Sequence, residues 1–512
     1  MNFLTSSKSI YLLLIIFALV NLLFLTNFPF VHSDEAWLSG LSRTMLQKKD
    51  LSVTESFFDL YPRNPHSIKT LFHLLQIVFL KLIGYKIFTF RLLSLLIGSS
   101  SLYIFYKIAK KLTDNDLLVI MTTIMMGLDI QFIYASHFAR QEIILVFIFL
   151  IALYYYLDKY EERSSIRGDF TLALILGTAI GIHPNSFIIA LPFVFIYSYN
   201  LIIAKKIDLA NYLTFIGTLG GIALLFVILS FKFDPNFINN YSTYGEKLGV
   251  FSSILTKIDR LDYFYKKLFY GISGTYYTPP VKFQFIIFAL TLISSFLQLF
   301  FTKDKKKSTL ILTFAAINIG YIIIGRYNQT SIIFIFPICY LLLLNLISNL
   351  KNSLSYLIMI AIIAVLAFNT TSALIEDSHS SYHKYLKEIS KVVDRNDRVL
   401  ANLNCEYYFN NGKLLDYRNL AYLDDNHLSF SEYISSRKIE YIIYPEEMDY
   451  IYEHRPMWNM LYGNLYPYYQ DMKNYLKEEC TMVYSFTDST YGMRIARYIG
   501  EREWQIKIYK VN

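Results

Sequence analysis

The sequence predicts a polytopic α-helical membrane protein with a soluble α/β domain at its C-terminal end. Three observations predict it. Hydrophobic residues make up 54% of the 512 residues and charged residues only 17%, with a mean hydropathy of +0.36; a soluble chain would carry about a quarter charged residues. The apolar residues gather in runs long enough to cross a bilayer core of about 30 Å as helices, the only open-ended form whose backbone groups are all paired internally. From about residue 375 the composition turns abruptly polar and tyrosine-rich. The net charge of +8 does not point to nucleic acid, because the basic residues lie in short loops between apolar runs, as they do on the cytoplasmic side of membrane proteins.

The first apolar run covers about residues 10–30. Lys8 precedes it and no small-residue cleavage pattern follows, so it reads as a retained span rather than a removed signal peptide. At its end stands Val31-His32-Ser33-Asp34-Glu35-Ala36-Trp37, which places two adjacent carboxylates at the membrane surface. The polar stretch 32–66 reads as external loop. Residues 67–84 are apolar but carry Lys69, Thr70, His73 and Gln76 on one helical face, the pattern of an amphipathic helix lying in the outer interface. Together these make an external region of about 32–86.

Further spans are expected at about 87–107, 115–134, 139–157, 169–182, 186–203, 210–231, 282–301, 309–325, 331–349 and 354–373, with a second long external loop at 232–280. The charged clusters at Lys107, Lys110 and Lys111, at Asp158 to Arg167, at Lys205-Lys206, at Lys303-Asp304-Lys305-Lys306-Lys307 and at Lys351 all fall on one side of this alternation. About eleven spans follow, with the N-terminus inside and the C-terminus outside. The expected domains are therefore a membrane domain over 1–374 and an extracytoplasmic α/β domain over 375–512, in a cell (plasma) membrane.

In the C-terminal domain, 398–401, 441–445, 481–486 and 504–509 read as strands and 431–438 and 468–478 as helices. It holds no Gly-rich nucleotide loop, no zinc spacing and no His-centred hydrolase motif, so it reads as a platform for an acceptor or partner. Cys405 and Cys480 share this region and Cys339 lies in an apolar run; spacing leaves their pairing open.

A first span followed by an acidic pair and then an interfacial helix resembles the GT-C membrane glycosyltransferases, most closely the branch of protein O-mannosyltransferases and the lipid A aminoarabinose transferase. Three further stretches carry the resemblance. Phe90-Arg91-Leu92-Leu93-Ser94-Leu95-Leu96 followed by Lys107 is similar to that branch's second span. Ser136-His137-Phe138-Ala139-Arg140-Gln141-Glu142 resembles its Arg followed by an acid at the outer start of the fourth span. Gly325-Arg326-Tyr327 through Phe336-Pro337 resembles its basic-aromatic turn before a Pro-containing span. The likeness covers about residues 5–350 in order and spacing. It departs at His183, where many relatives have Lys, and most of all in the C-terminal domain.

The resemblance implies transfer of a sugar from a polyprenyl-phosphate donor to an acceptor hydroxyl at the outer face, with inversion, the acceptor being a lipid, a glycan or a protein. An acceptor oxygen is a weak nucleophile until its proton leaves, and a carboxylate in hydrogen-bond reach supplies roughly 10²–10⁴-fold by taking it. Asp34 matches the family's acid and is the expected base, with Glu35 beside it to orient or substitute for it. The leaving phosphate is a stable anion that needs positive charge more than a proton, and arginine binds two of its oxygens at once. Arg140 and Arg326 are the expected phosphate ligands, with His183 and Lys69 behind them. Glu142 is an ionisable group inside an apolar run, which is functional or paired by default. No cofactor is expected. Asp234, Glu246 and Asp262 in the second long loop have no metal-binding spacing, as an oligosaccharyltransferase would require. A lipid or glycan transporter or flippase would show internal repeats or broken helices in matching halves, and none is visible. A non-catalytic scaffold would have no need of Asp34, Arg140 and Glu142 at one membrane level.

Overall fold

The computed structural model describes residues 8–159, 165–272, 274–299, 305–325, 327–377, 381–492 and 503–512. Glu161, Glu162, Arg163, Lys303, Asp304 and Arg326 lie outside the described residues. The membrane part opens with α1 (Lys8–Phe24) and a loop that turns into α2 (Ser33–Lys48). The sequence reading took 32–66 as loop, and α2 corrects it. His32 and Glu35 form a reciprocal capping box, Asp34 and Glu35 sit in the first turn where the helix dipole favours them, and Lys49 closes the far end in a left-handed conformation. These are terminal signals, whereas the helix itself is nearly all buried polar and small residues with weak periodicity, so pattern reading passes over it.

A 3₁₀ turn (Ser67–Lys69) leads into α3 (Thr70–Ile83), the expected amphipathic helix, which buries Phe72, His73, Gln76 and Leu80 and exposes Leu74, Val78 and Leu82. Then come α4 (Ile87–Leu112), α5 (Asp116–Gly127) and α6 (Ile130–His137), α7 (Glu142–Lys159), α8 (Ile166–Thr178), α9 (Ser186–Ile202) and α10 (Leu209–Phe233). The run at 115–134 is not one straight helix: α5 and α6 meet at 59°. Asp129 makes the break by capping α6, accepting from the backbone N–H of Gln131 at 2.8 Å and Phe132 at 3.1 Å. The 232–280 segment is also largely helical, with α11 (Phe237–Lys247) and α12 (Ile254–Phe269). The membrane part closes with α13 (Lys282–Leu299), α14 (Lys305–Ile324), a 3₁₀ segment (Gln329–Phe334) running into α15 (Phe336–Ile347), and α16 (Asn352–Asp377). Among the described residues five helices are long and apolar enough to cross a membrane, and six if the bent α5–α6 pair counts as one. The chain is a multi-pass membrane protein.

The C-terminal domain holds α17 (Tyr382–Ile389), β1 (Val399–Ala401), β2 (Leu414–Asp416), α18 (Phe430–Ser436), β3 (Tyr441–Pro445), α19 (Glu447–His454), α20 (Tyr466–Glu478), β4 (Cys480–Asp488) and β5 (Trp504–Val511). The strands form one mixed sheet in the order β2-β1-β3-β5-β4, parallel on the β2-β1-β3 side and antiparallel from β3 onward. The four strands and two helices read from sequence are all present; the three-residue β2 and the short α17 and α19 are too brief to leave a pattern. Cys339, Cys405 and Cys480 are free thiols.

This domain is locked onto the segment 43–61 and onto Tyr85. Asn419 reads three consecutive backbone N–H groups, of Asp59, Leu60 and Tyr61, at 3.1–3.2 Å, and its amide donates to the Phe57 carbonyl at 2.9 Å. Arg437 pairs with Asp59. From α2, Arg43 stacks 3.8 Å over the Tyr85 ring, pairs with buried Glu406 and donates to the Phe409 carbonyl at 2.9 Å. Removing one partner from a buried pair of this kind costs about 3–5 kcal/mol, because the other charge is left stranded.

Candidate functional site

Asp34 and Glu35 are neighbours on the first turn of α2 and face opposite ways. Glu35 points into the protein and is fully buried, as is Arg91 on α4. Arg91 donates to both Glu35 oxygens at 2.8 Å, and the same two oxygens accept from the backbone N–H of Ala139 at 2.9 Å and of His32 at 3.0 Å. The rest of the Arg91 guanidinium grips the carbonyls of the loop before α2, reaching Pro29 at 2.8 Å and Leu25 at 3.0 Å. Glu35 has no oxygen left to act on a substrate. The sequence reading gave it two roles, orienting Asp34 or substituting for it, and the geometry supports the first alone. By holding His32 on one side and Ala139 on the other, it fixes the backbone beside Asp34 and beside Arg140.

Asp34 points outward, with its side chain 26% exposed. One oxygen, Oδ2, accepts from Arg140 Nη1 at 2.8 Å and from the Tyr276 hydroxyl. The other, Oδ1, lies 3.7 Å from His32 Nδ1. Burial pushes the carboxyl pKa up, but His32, Arg140, the Tyr276 hydroxyl and Arg418 outweigh it and hold Asp34 well below the usual carboxylate range. Asp34 is ionised at any working pH.

Arg140 sits in the non-helical corner between α6 and α7. Its Nη1 also donates to the Tyr276 hydroxyl at 2.7 Å, and Nη2 lies 3.1 Å from Glu142 Oε1. Glu142, first residue of α7, takes a further hydrogen bond from Thr330 at 2.8 Å. Arg140 Nε and Glu142 Oε2 are buried without a hydrogen-bond partner. An Asp34–Arg140–Glu142 chain therefore runs inward from the surface, with unspent donors and acceptors.

A cavity of about 210 Å³ opens over Asp34 and Arg140. Lys69, from the 3₁₀ turn before α3, and Arg63 also line it, so three cations face one space. Arg63 is matched by Glu55 at 3.2 Å and Arg140 by its two acids, whereas Lys69 has no ion pair or hydrogen bond among the described residues. Burial, then the charges of Arg63 and Arg140, bring the Lys69 pKa down to about 8. His183 lines the cavity from the turn before α9, with Nδ1 accepting the Asn185 N–H at 3.0 Å.

Asp34, Arg140, Lys69 and His183 thus share one cavity, Glu142 stands behind Arg140, and Glu35 lies below the floor. Arg326 lies outside the described residues, although Asn328 and Ser331 from the same turn reach the lining. Tyr276 is the main residue that sequence reasoning missed. It comes from the strap between α12 and α13, whose glycines, Tyr276-Tyr277 doublet and Pro279-Pro280 pair carry no periodic pattern. Its ring stacks on His32 at 4.2 Å and 12°. Arg63 and Trp37 likewise have no role assigned from sequence: the Trp37 indole donates to Glu55 at 2.5 Å, and the Arg63 and Arg418 guanidiniums lie 4.9 and 4.6 Å from its ring. Among the described residues no three His, Cys, Asp or Glu side chains come together as a metal-binding set. Asp234 is spent on Asn236 and Asn240, and Asp262 on Lys266.

Residues 69–238 match the family model described as dolichyl-phosphate-mannose-protein mannosyltransferase. In structure, the chain is similar to ArnT from Cupriavidus metallidurans bound to undecaprenyl phosphate, with a TM-score of 0.58 and 13% identity over 86% of this chain and 96% of that one. It is also similar to the oligosaccharyltransferase of Archaeoglobus fulgidus in complex with Zn and sulfate, with a TM-score of 0.55 and 11% identity over 85% of this chain and 68% of that one. The archaeal oligosaccharyltransferase AglB of the same organism, in complex with an inhibitory peptide and a dolichol-phosphate, gives 0.52 and 10% over 87% and 70%. No curated protein sequence matches the chain. The chain therefore shares its fold with ArnT and the archaeal oligosaccharyltransferases, and residues 69–238 resemble the mannosyltransferase family model.

Proposed function

We propose that the protein transfers a sugar from a polyprenyl phosphate to an acceptor hydroxyl at the outer face of the plasma membrane, with inversion at the sugar carbon. The observation that carries this reading is one partly exposed carboxylate set beside three cations, one of them unmatched, in a single cavity. Lys69, Arg140 and Arg63 receive the phosphate, whose lipid tail remains in the bilayer. Asp34 takes the proton from the acceptor hydroxyl as that oxygen bonds to the sugar carbon. The bond from carbon to phosphate oxygen breaks on the opposite side, and the polyprenyl phosphate departs as an anion held by the same cations. Such groups act on the charge that develops in the transition state, so their removal lowers turnover more than substrate affinity. Glu142 holds the Arg140 guanidinium from behind.

The same reading places the N-terminus inside, counts about eleven membrane-crossing segments and sets the 375–512 domain outside, where the alternation of basic loops puts it. That domain, bolted to the region around Asp34, is the platform for the acceptor. Positive side chains take the part of a metal, so none is required. The test is transfer by the purified protein in liposomes, from a radiolabelled polyprenyl-phosphate sugar to an envelope lipid and glycan extract. Asp34→Asn is expected to lose at least about a hundredfold in transfer. Transfer at the wild-type rate by this variant removes Asp34 as the base.

A further inference from the structure

Arg140 serves two masters in this site. Its Nη1 is 2.8 Å from Asp34 Oδ2 and 2.7 Å from the Tyr276 oxygen, and its Nη2 is 3.1 Å from Glu142. A guanidinium paired with two carboxylates shows little net charge to a phosphate. A carboxylate clamped by a guanidinium is likewise a poor base, since proton-accepting strength falls as the pKa falls. One event relieves both faults. A phosphate entering beside Lys69 draws the guanidinium toward itself, spending the buried, unpartnered Nε, while Glu142 keeps its hold on Nη2.

Asp34 would then be loose, were it not for Tyr276. The tyrosine hydroxyl has one proton, which it gives to Asp34 Oδ2, and it accepts from Arg140. Its ring is fixed by the stack on His32, the residue that caps α2 and whose Nδ1 takes the Asp34 N–H at 3.0 Å. Tyr277 anchors the strap next door, 3% exposed, edge-on to Phe28 at 5.0 Å and to Tyr134 at 5.3 Å. The tyrosine therefore stays when the guanidinium moves, and Oδ1, the oxygen left open on the cavity side, keeps its aim.

We propose that the donor phosphate and Asp34 compete for Arg140, so that donor binding itself frees the base, and that Tyr276 is the positioning residue that holds Asp34 when Arg140 leaves. This rests on the reading of Arg140 as a ligand of the donor phosphate. Binding is reciprocal: whatever loosens Asp34 from Arg140 strengthens the phosphate, and whatever tightens that pair weakens it.

The experiment is titration of undecaprenyl phosphate into the full-length protein in nanodiscs of uncharged phosphatidylcholine, with thermal unfolding recorded for every variant. Asp34→Asn removes the competing charge and is expected to bind on the order of tenfold tighter, the scale of one charge-assisted hydrogen bond; Asp34→Ala takes its place if the Asn variant aggregates. Tyr276→Phe leaves Asp34 with Arg140 alone and is expected to bind several-fold more weakly, while the double variant binds like Asp34→Asn. Opposite signs from two touching residues do not arise from general loss of structure. Binding by Asp34→Asn that is no tighter than wild type overturns the competition. Binding by Tyr276→Phe at or above wild-type strength overturns the role of Tyr276. Wild-type binding by Arg140→Ala overturns instead the underlying assignment of Arg140 to the phosphate.

Discussion

Two arginine–carboxylate networks lie side by side under the same turn of α2, and they are built to opposite specifications. In the inner one, Arg91 and Glu35 have no exposure at all, and every donor and acceptor is spent on the partner or on backbone. In the outer one, Arg140 is shared among Asp34, Glu142 and Tyr276, Asp34 is partly open to a cavity, and Arg140 Nε and Glu142 Oε2 are left without partners. A buried polar group without a partner costs about 1–3 kcal/mol. Such a deficit does not by itself mark a site, since Arg43 Nε and Glu406 Oε2 in the domain contact also lack partners; what sets the outer network apart is that it also borders the cavity.

Breaking the inner network should give the largest effect. Arg91→Ala strands a buried carboxylate and releases the loop that carries α2, at a cost of about 3–5 kcal/mol. The expected result is a steep fall in yield of monodisperse protein and in unfolding temperature. An Arg91→Ala protein with the wild-type melting curve would dissolve the distinction between the two networks.

In the outer network the expected loss is of turnover. Arg140→Lys keeps the charge but cannot reach Asp34, Glu142 and a phosphate together, and transfer should drop by roughly tenfold to a hundredfold at nearly unchanged stability. A matching collapse of the melting curve would reclassify Arg140 as scaffold. A smaller effect is expected from pH. With its pKa brought down to about 8, Lys69 is protonated below that value and loses its charge above it. Undecaprenyl phosphate binding should therefore weaken as pH rises through about 8 to 9, and Lys69→Arg, always charged, should flatten that fall. A wild-type affinity constant from pH 7 to 10 would take Lys69 out of the phosphate site. The smallest effect is expected from metal removal: cations of the protein already face the leaving group, so dialysis against EDTA should leave transfer within about twofold. Abolition restored by a divalent ion would show that a metal belongs in the site.

The architecture was legible because it is written in composition and periodicity. The amphipathic 67–84 stretch and the β-branched and aromatic strands of the C-terminal domain appear where hydrophobic pattern places them, and among the described residues five apolar helices, or six with the bent pair, are long enough to cross a membrane. Asp34 and Arg140 were legible too, as ionisable residues at the outer ends of apolar segments. What stayed hidden was direction. Glu35 and Asp34 are adjacent carboxylates in the sequence, and only the capping geometry at His32 turns one inward to Arg91 and the other out to the cavity. Tyr276 was hidden for a different reason: it reaches Asp34 across a separation of 242 residues, from a strap with no periodic signal. The helix α2 was missed because its caps and buried polar residues, rather than an apolar stripe, define it.

The most direct measurement compares the two neighbours in one experiment, recording thermal unfolding and sugar transfer for Asp34→Asn and Glu35→Gln side by side. The expected result is a crossed pattern. Asp34→Asn unfolds within a few degrees of wild type and has lost transfer by at least about a hundredfold; Glu35→Gln unfolds well below wild type, and the fraction that remains folded still transfers sugar. The opposite pairing, with a stable but inactive Glu35→Gln and an active Asp34→Asn, would place the base on the inner carboxylate and contradict the division drawn here.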